Sequence, residues 1–265
     1  MIALTRGEGI PLIAIHGFGV DHRIMLPLED MVPDAGWQRV YIDLPWAEGT
    51  SDTGARTPRE LAHQVMEEVR DLAAGGPFAI IGNSFGAMVA RHIAHALPEQ
   101  SLGLATLAGV FEMDHALRTL PEHEVVVADE AVLQAAGADR DAFTEMAVVQ
   151  TPATLEAFRR FVVPGAAGAD LRVLERLSRT YAEASAPEND ATGPFTAPAL
   201  HIFGRQDQVV GFEDGLAHRA HYLRGTFVVL DGAGHNLHLE HPGAVGALVR
   251  DWLSRARADA RIRGL

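Results

Sequence analysis

The sequence predicts an α/β fold, a mostly parallel sheet covered by helices on both faces and interrupted by a helical insertion. Three observations predict it. Short apolar runs alternate with longer amphipathic stretches, the pattern of strands buried on both faces. The runs are of strand length, and several are rich in β-branched and aromatic residues. The alternation breaks off between Phe111 and Phe195, where helical patterns follow one another with no clear strand.

A leading strand at Ile2–Thr5 is expected to turn back as a hairpin through Arg6–Gly9, giving the sheet one antiparallel edge. Further strands are expected at Leu12–His16, Arg39–Ile42, Phe78–Ile81, Leu102–Leu107, Ala199–Phe203 and Thr226–Leu230. Thr57 and Pro58, with Glu60 three residues after the threonine, resemble a capping box ahead of Leu61, Val65, Val69 and Leu72 at helical spacing. A helix over Phe85–Leu97 should stop at Pro98. The last, His241–Ala258, carries Val245, Leu248, Val249 and Trp252 on one face.

In the interrupted region helices are expected at Asp129–Ala136, Asp141–Val149, Thr154–Phe161 and Leu171–Ala184. Pro121, Gly137, Pro152, Pro164 and Gly165 punctuate them, and Ala186–Thr196 reads as a polar linker. The chain therefore divides into a core of residues 1–110 and 196–265 and an insertion, 111–195, read as a lid over the sheet.

Composition narrows the classes of function. A chain of 265 residues suits one α/β domain, and 48% hydrophobic with 22% charged residues is too apolar for a disordered protein. The net charge is −13, and every fixed cation is an arginine. Such a surface repels polyanions, which argues against nucleic acid or an anionic membrane as partner. The absence of cysteine excludes disulfides, thiolate catalysis and cysteine-ligated zinc. The N-terminal residues lack a signal-peptide pattern, and the longest apolar run, Leu102–Phe111, is short of the ~20 residues of a membrane span. A cytoplasmic protein with a small-molecule substrate and no cofactor is expected; oligomeric state stays open.

Four motifs carry chemistry. Gly82-Asn83-Ser84-Phe85-Gly86 lies between an apolar strand and an apolar-periodic helix. A turn this tight needs small residues two either side of the serine and presents its hydroxyl at the helix start, where free N–H groups favour an oxyanion. His16-Gly17-Phe18-Gly19 ends a strand, and its backbone can supply a second donor, so the N–H groups of Phe18 and Phe85 form the expected oxyanion pair. His16 itself reads as a structural residue. Asp207, in Gly204-Arg205-Gln206-Asp207, sits at a strand's C-terminal end, where open α/β sheets assemble their sites. His235, in Gly232-Ala233-Gly234-His235, follows the last strand. Serine, acid and histidine in this order suit a nucleophile, Ser84, a base, His235, and an orienting acid, Asp207, with Glu112 and Asp114 as reserve acids. The spacing of His235, His238 and His241 admits a metal reading, but Pro242 interrupts it and no HExxH is present, so no metal is expected.

HGFG, GNSFG, GRQD and GAGHNLHLEHP fall in an order and separation that resemble the α/β-hydrolase superfamily over nearly the whole chain. The resemblance implies an eight-stranded sheet, a helical cap after the sixth strand and catalytic roles for Ser84, Asp207 and His235. One departure is Trp46, which stands where relatives often have glycine in a D-x-P-G-x-G-x-S stretch. Its ring either enters the pocket or packs against the lid. Trp46, Met113, Phe143, Met146 and Phe158 are the expected pocket residues, with Leu117 and Phe161 also in the lid's apolar set. The expected reaction is hydrolysis of a carboxylic ester or thioester of a small, largely apolar substrate through an acyl-enzyme. Asn83 and Trp46 keep open a carbon–carbon bond hydrolase or a lyase or cyclase on the same triad, and a non-catalytic ligand receptor is a third reading.

Overall fold

A computed structural model describes residues 1–33 and 36–264. Its strands are β1 (Ile2–Arg6), β2 (Ile10–Ile15), β3 (Trp37–Ile42), β4 (Phe78–Asn83), β5 (Ser101–Leu107), β6 (Ala199–Gly204) and β7 (Gly225–Leu230). They form one sheet in the order β1-β3-β2-β4-β5-β6-β7, with β1 antiparallel and all other pairs parallel. The apolar runs became the central strands because helices cover both faces: β4, β5 and β6 are buried at every residue. The α-helices are α1 (Leu28–Met31), α2 (Pro58–Ala73), α3 (Phe85–Ala96), α4 (Glu130–Ala136), α5 (Arg140–Met146) and α6 (Pro152–Phe161). They continue as α7 (Val163–Gly168), α8 (Leu171–Ser178), α9 (Pro187–Asp190), α10 (Glu213–Ala217), α11 (Leu237–Glu240) and α12 (Pro242–Arg263).

Four expectations need correction. The sheet has seven strands among the described residues, not eight, so the insertion follows the fifth strand rather than the sixth. β1 and β2 do not form a hairpin, because β3 lies between them. The connection crosses the start of β3 so closely that a Cβ on Gly9 would lie 2.5 Å from the carbonyl carbon of Gly36, and Gly9 itself has φ 123°. Pro164 marks a helix boundary as expected, in the first turn of α7 where proline costs no hydrogen bond, but Gly165 lies inside that helix rather than ending one. Residues 186–196 are not a simple linker, since α9 lies there and Glu188 is buried.

The cap of α2 also differs in detail. Thr57 accepts from the Glu60 N–H, but the Glu60 carboxylate takes the N–H of Arg56 rather than returning to Thr57. The reciprocal box occurs instead at α6, between Thr151 and Thr154.

Between β5 and β6 no residue joins the sheet; α4–α9 fill the interval. The interval is fixed to the core by buried polar contacts. Arg91 on α3 donates from Nε to Glu188 Oε1 at 2.7 Å and from Nη1 to the Val110 carbonyl, and its Cζ stands 3.8 Å over the Phe111 ring. Tyr222 also donates to Glu188. Burial alone would raise the Glu188 carboxyl, but Arg91 outweighs it and holds the group well below the usual carboxylate range.

Candidate active site

The site begins with a backbone constraint. Ser84 has φ 52° and ψ −117°, a conformation costly for a residue with a Cβ, at the junction of β4 and α3. Its neighbours show why the turn needs glycine. A Cβ on Gly82 would lie 2.2 Å from the Gly86 carbonyl oxygen, and one on Gly86 would lie 2.3 Å from that of Ile15. The elbow is therefore wedged between its own helix and the end of β2.

The wedge brings the two expected oxyanion donors together. Phe85 opens α3 and Phe18 follows the end of β2. Among the described residues no acceptor engages either backbone N–H. Their rings lie 5.6 Å apart, and Trp46 packs on both, at 5.0 Å from Phe18 and 5.6 Å from Phe85. Trp46 is fully buried, and its Nε1 donates to the Val20 carbonyl at 2.8 Å. The Trp46 ring thus braces the two donor residues from behind and does not line the cavity.

His16 is a strut as well. Its Nε2 accepts the Leu44 N–H at 2.9 Å, which leaves Nδ1 as the donor to the Gly17 carbonyl at 2.8 Å. Burial lowers its pKa, in keeping with a neutral ring. Asn83, next to the serine, turns into the sheet and donates to the Leu107 carbonyl at 3.1 Å.

Asp207 and His235 meet at the C-terminal ends of β6 and β7. His235 Nδ1 is 3.0 Å from Asp207 Oδ2 and 3.2 Å from Oδ1, and Oδ1 also accepts the N–H groups of Val209 and Val210. A carboxylate only accepts, so the proton sits on Nδ1 and Nε2 is left as the acceptor. Glycine again permits the approach: a Cβ on Gly204 would lie 2.3 Å from the Ala233 carbonyl oxygen. Glu112 and Asp114 do not contact the imidazole. Glu112 accepts the Asp114 N–H and Asp114 accepts that of Ala116.

The histidine loop is also tied to the insertion. Glu240 on α11 accepts the Gly234 N–H at 2.6 Å and the Val148 and Val149 N–H groups at 2.8 and 3.3 Å. Burial pushes its carboxyl up, against the pull of those three donors. The other histidines of the tail are not solvated ligands. His238 is buried with Nε2 2.9 Å from the Ile24 carbonyl, and His241 Nε2 lies 2.6 Å from that of Gly232.

Ser84 and His235 border one cavity of about 460 Å³. They are not hydrogen-bonded to each other in the described structure; catalytic contacts of this kind commonly tighten only with substrate in place. Met113 and Met146 border the cavity as expected, whereas Trp46, Phe143 and Phe158 do not. Phe143 and Phe158 pack on each other, 5.5 Å between centroids, inside the insertion. Arg118, Ser178 and Tyr181 border the cavity and were not singled out from the sequence. Ser178 ends α8 and Tyr181 follows it, inside the helix expected over Leu171–Ala184, whose apolar spacing does not single them out as facing the cavity.

Comparison with known proteins places this geometry in a family. A model of the family described as alpha/beta hydrolase matches residues 12–248. The chain is 23% identical over 260 residues to (E)-2-((N-methylformamido)methylene)succinate hydrolase of Acinetobacter baylyi, covering 94% of this chain and 92% of that protein. Among solved structures, an alpha/beta superfamily hydrolase from Oenococcus oeni PSU-1 superposes with a TM-score of 0.88 at 25% identity, over 96% of this chain and 95% of the other. A thermophilic esterase from Thermogutta terrifontis, solved with malate bound, shares the fold with a TM-score of 0.69 at 19% identity, over 96% and 92% of the two chains.

Proposed function

This chain belongs to the alpha/beta hydrolase family, and from that premise we propose that it hydrolyses a carboxylic ester or thioester of a small molecule through an acyl-enzyme on Ser84. His235 Nε2 takes the serine proton as Oγ attacks the carbonyl carbon. The oxyanion is received by the Phe18 and Phe85 N–H groups. His235 then protonates the leaving alcohol or thiol, and next draws a proton from water, whose hydroxide releases the acid and restores the serine. Asp207 holds the imidazole in the Nδ1–H form throughout. The insertion, residues 111–195, acts as a cap that shapes the pocket over the core of residues 1–110 and 196–265.

The observation that carries this reading is a serine at φ 52° bordering the same cavity as an imidazole whose other nitrogen is bound by a buried aspartate. A relative named as a hydrolase supports hydrolysis over ligand reception. Asn83, which suggested carbon–carbon bond cleavage, is turned into the sheet and favours no separate reading. Among the described residues no helix is long and apolar enough to cross a membrane.

The test is fluorophosphonate labelling and turnover of nitrophenyl esters. Ser84→Ala should abolish labelling and lower turnover by about 10⁶. A Ser84→Ala protein hydrolysing the ester at the wild-type rate would refute the assignment.

A further inference from the structure

The cavity carries a cation that the hydrolytic steps do not use. Arg118 borders it together with Ser84 and His235. Its guanidinium is fixed by carbonyl dipoles: Nε donates to Glu112 O at 2.9 Å, Nη1 to Val209 O at 2.9 Å, and Nη2 reaches Met113 O at 3.4 Å. These come from two parts of the chain, the segment after β5 and the loop of Asp207, so the group is held in place rather than swinging in solvent.

No carboxylate neutralises it. Among the described residues Arg118 forms no ion pair, although Glu112 and Asp114 are close in sequence. Glu112 Oε1 accepts the Asp114 N–H and Asp114 Oδ1 that of Ala116; Asp114 borders the same cavity but makes no ion pair with Arg118. In a chain of net charge −13, a guanidinium held by carbonyls on the wall of the cavity that Ser84 and His235 border offers that cavity a positive charge. The three carbonyls take three of its five N–H donors. One hydrogen remains on each terminal nitrogen, with the Tyr181 hydroxyl beside them as an acceptor. Tyr181, whose ring centroid is 5.9 Å from the Arg118 Cζ, borders the same cavity. Burial pushes its hydroxyl up to about 12 despite the adjacent guanidinium, so it stays a neutral donor.

We propose that Arg118, with Tyr181 beside it, receives a free carboxylate on the substrate, so that the substrate class is a monoester or monothioester of a short dicarboxylic acid. This rests on the hydrolytic reading for its reaction, but not for its binding. The guanidinium holds the remote carboxylate and thereby sets where the scissile carbonyl lies relative to Ser84.

The experiment compares 4-nitrophenyl hydrogen glutarate with 4-nitrophenyl valerate, a neutral ester of similar length, in wild type, Arg118→Gln and Arg118→Lys. Wild type should prefer the charged ester in kcat/KM. The ratio of charged to neutral kcat/KM should fall about 10- to 100-fold in Arg118→Gln and recover in part in Arg118→Lys. In parallel, calorimetry should detect glutarate binding to wild type that is lost in Arg118→Gln and absent with neutral glutaramide. An unchanged ratio, with equal losses on both esters, would overturn the proposal and leave Arg118 a tether for its loop. If neither ester turns over, the hydrolytic reading fails while calorimetry still decides: bound glutarate sustains the anion site, and no glutarate binding to wild type sinks it.

Discussion

The rim of the sheet and the helical insertion above it border the same cavity, but they are held by different means. At the rim, backbone touches backbone. Gly82 against Gly86, Gly86 against Ile15 and Gly204 against Ala233 leave no room for a methyl group. In the insertion, backbone contacts such as the Asp170 N–H on the Trp46 carbonyl at 2.8 Å are joined by side-chain ties: Arg91 to Glu188, Arg176 to Asp52, Glu240 to three main-chain amides. The positions proposed for bond chemistry are set by the first kind of contact, which tolerates almost no displacement. The wall that selects among substrates is set by the second, which can be re-tuned by single substitutions.

The difference can be broken from either side. The largest effect should come from Arg91→Met, which leaves the Glu188 carboxylate buried without its cation and should cost about 3–5 kcal/mol in chemical denaturation. Adding Glu188→Leu should restore a substantial part of this, since a buried pair can be replaced by apolar packing. A cost below about 1 kcal/mol for the single variant would show that the insertion is not anchored there. Gly86→Ala attacks the rim instead. Its methyl group would meet the Ile15 and His16 carbonyl oxygens, so a loss of about 1–3 kcal/mol is expected together with a fall in kcat, read by thermal melting and ester turnover.

Ser84→Gly should act in the opposite direction. It removes the Cβ from a residue at φ 52°, and stability should rise by about 1 kcal/mol while activity disappears. A melting temperature equal to or below that of wild type would show that the elbow stores no strain. The smallest effect concerns pH. Because Glu188 is held below its ordinary value, its contribution is complete above the unfolded value of about 4.3 and is lost as pH falls through the lower folded value. At pH 4 this single group should lower stability by less than about 1 kcal/mol relative to neutral pH, and Arg91→Met/Glu188→Leu should show a shallower acid slope.

The same contrast explains what could be read from the residues alone. Central parallel strands are buried on both faces, so Phe78–Ile81 and Ala199–Phe203 stand out as apolar runs, the second with His201 in it, and the structure extends them by only two residues and one. Ser84, Asp207 and His235 were legible as candidates because each follows such a run inside a glycine-bearing turn. Pairing between distant segments was not legible. Nothing local says that β3 separates β1 from β2, or that an arginine in α3 meets a glutamate 97 residues later in a polar stretch. Phe143 and Phe158 were readable as apolar, but periodicity shows which face of a helix is apolar, not what covers it. Each covers the other, and the cavity wall falls in part to Arg118, in a stretch without a period, and to Tyr181, just past the end of α8.

Glu240 gives the two regions a common fastening. One carboxylate grips the amide before His235 and the amides of Val148 and Val149 at once. Residues 148–149 and the loop bearing the imidazole are thereby geared together. A single carboxylate thus joins the segment before α6 to the amide next to His235, so a substitution at Glu240 would loosen both at once.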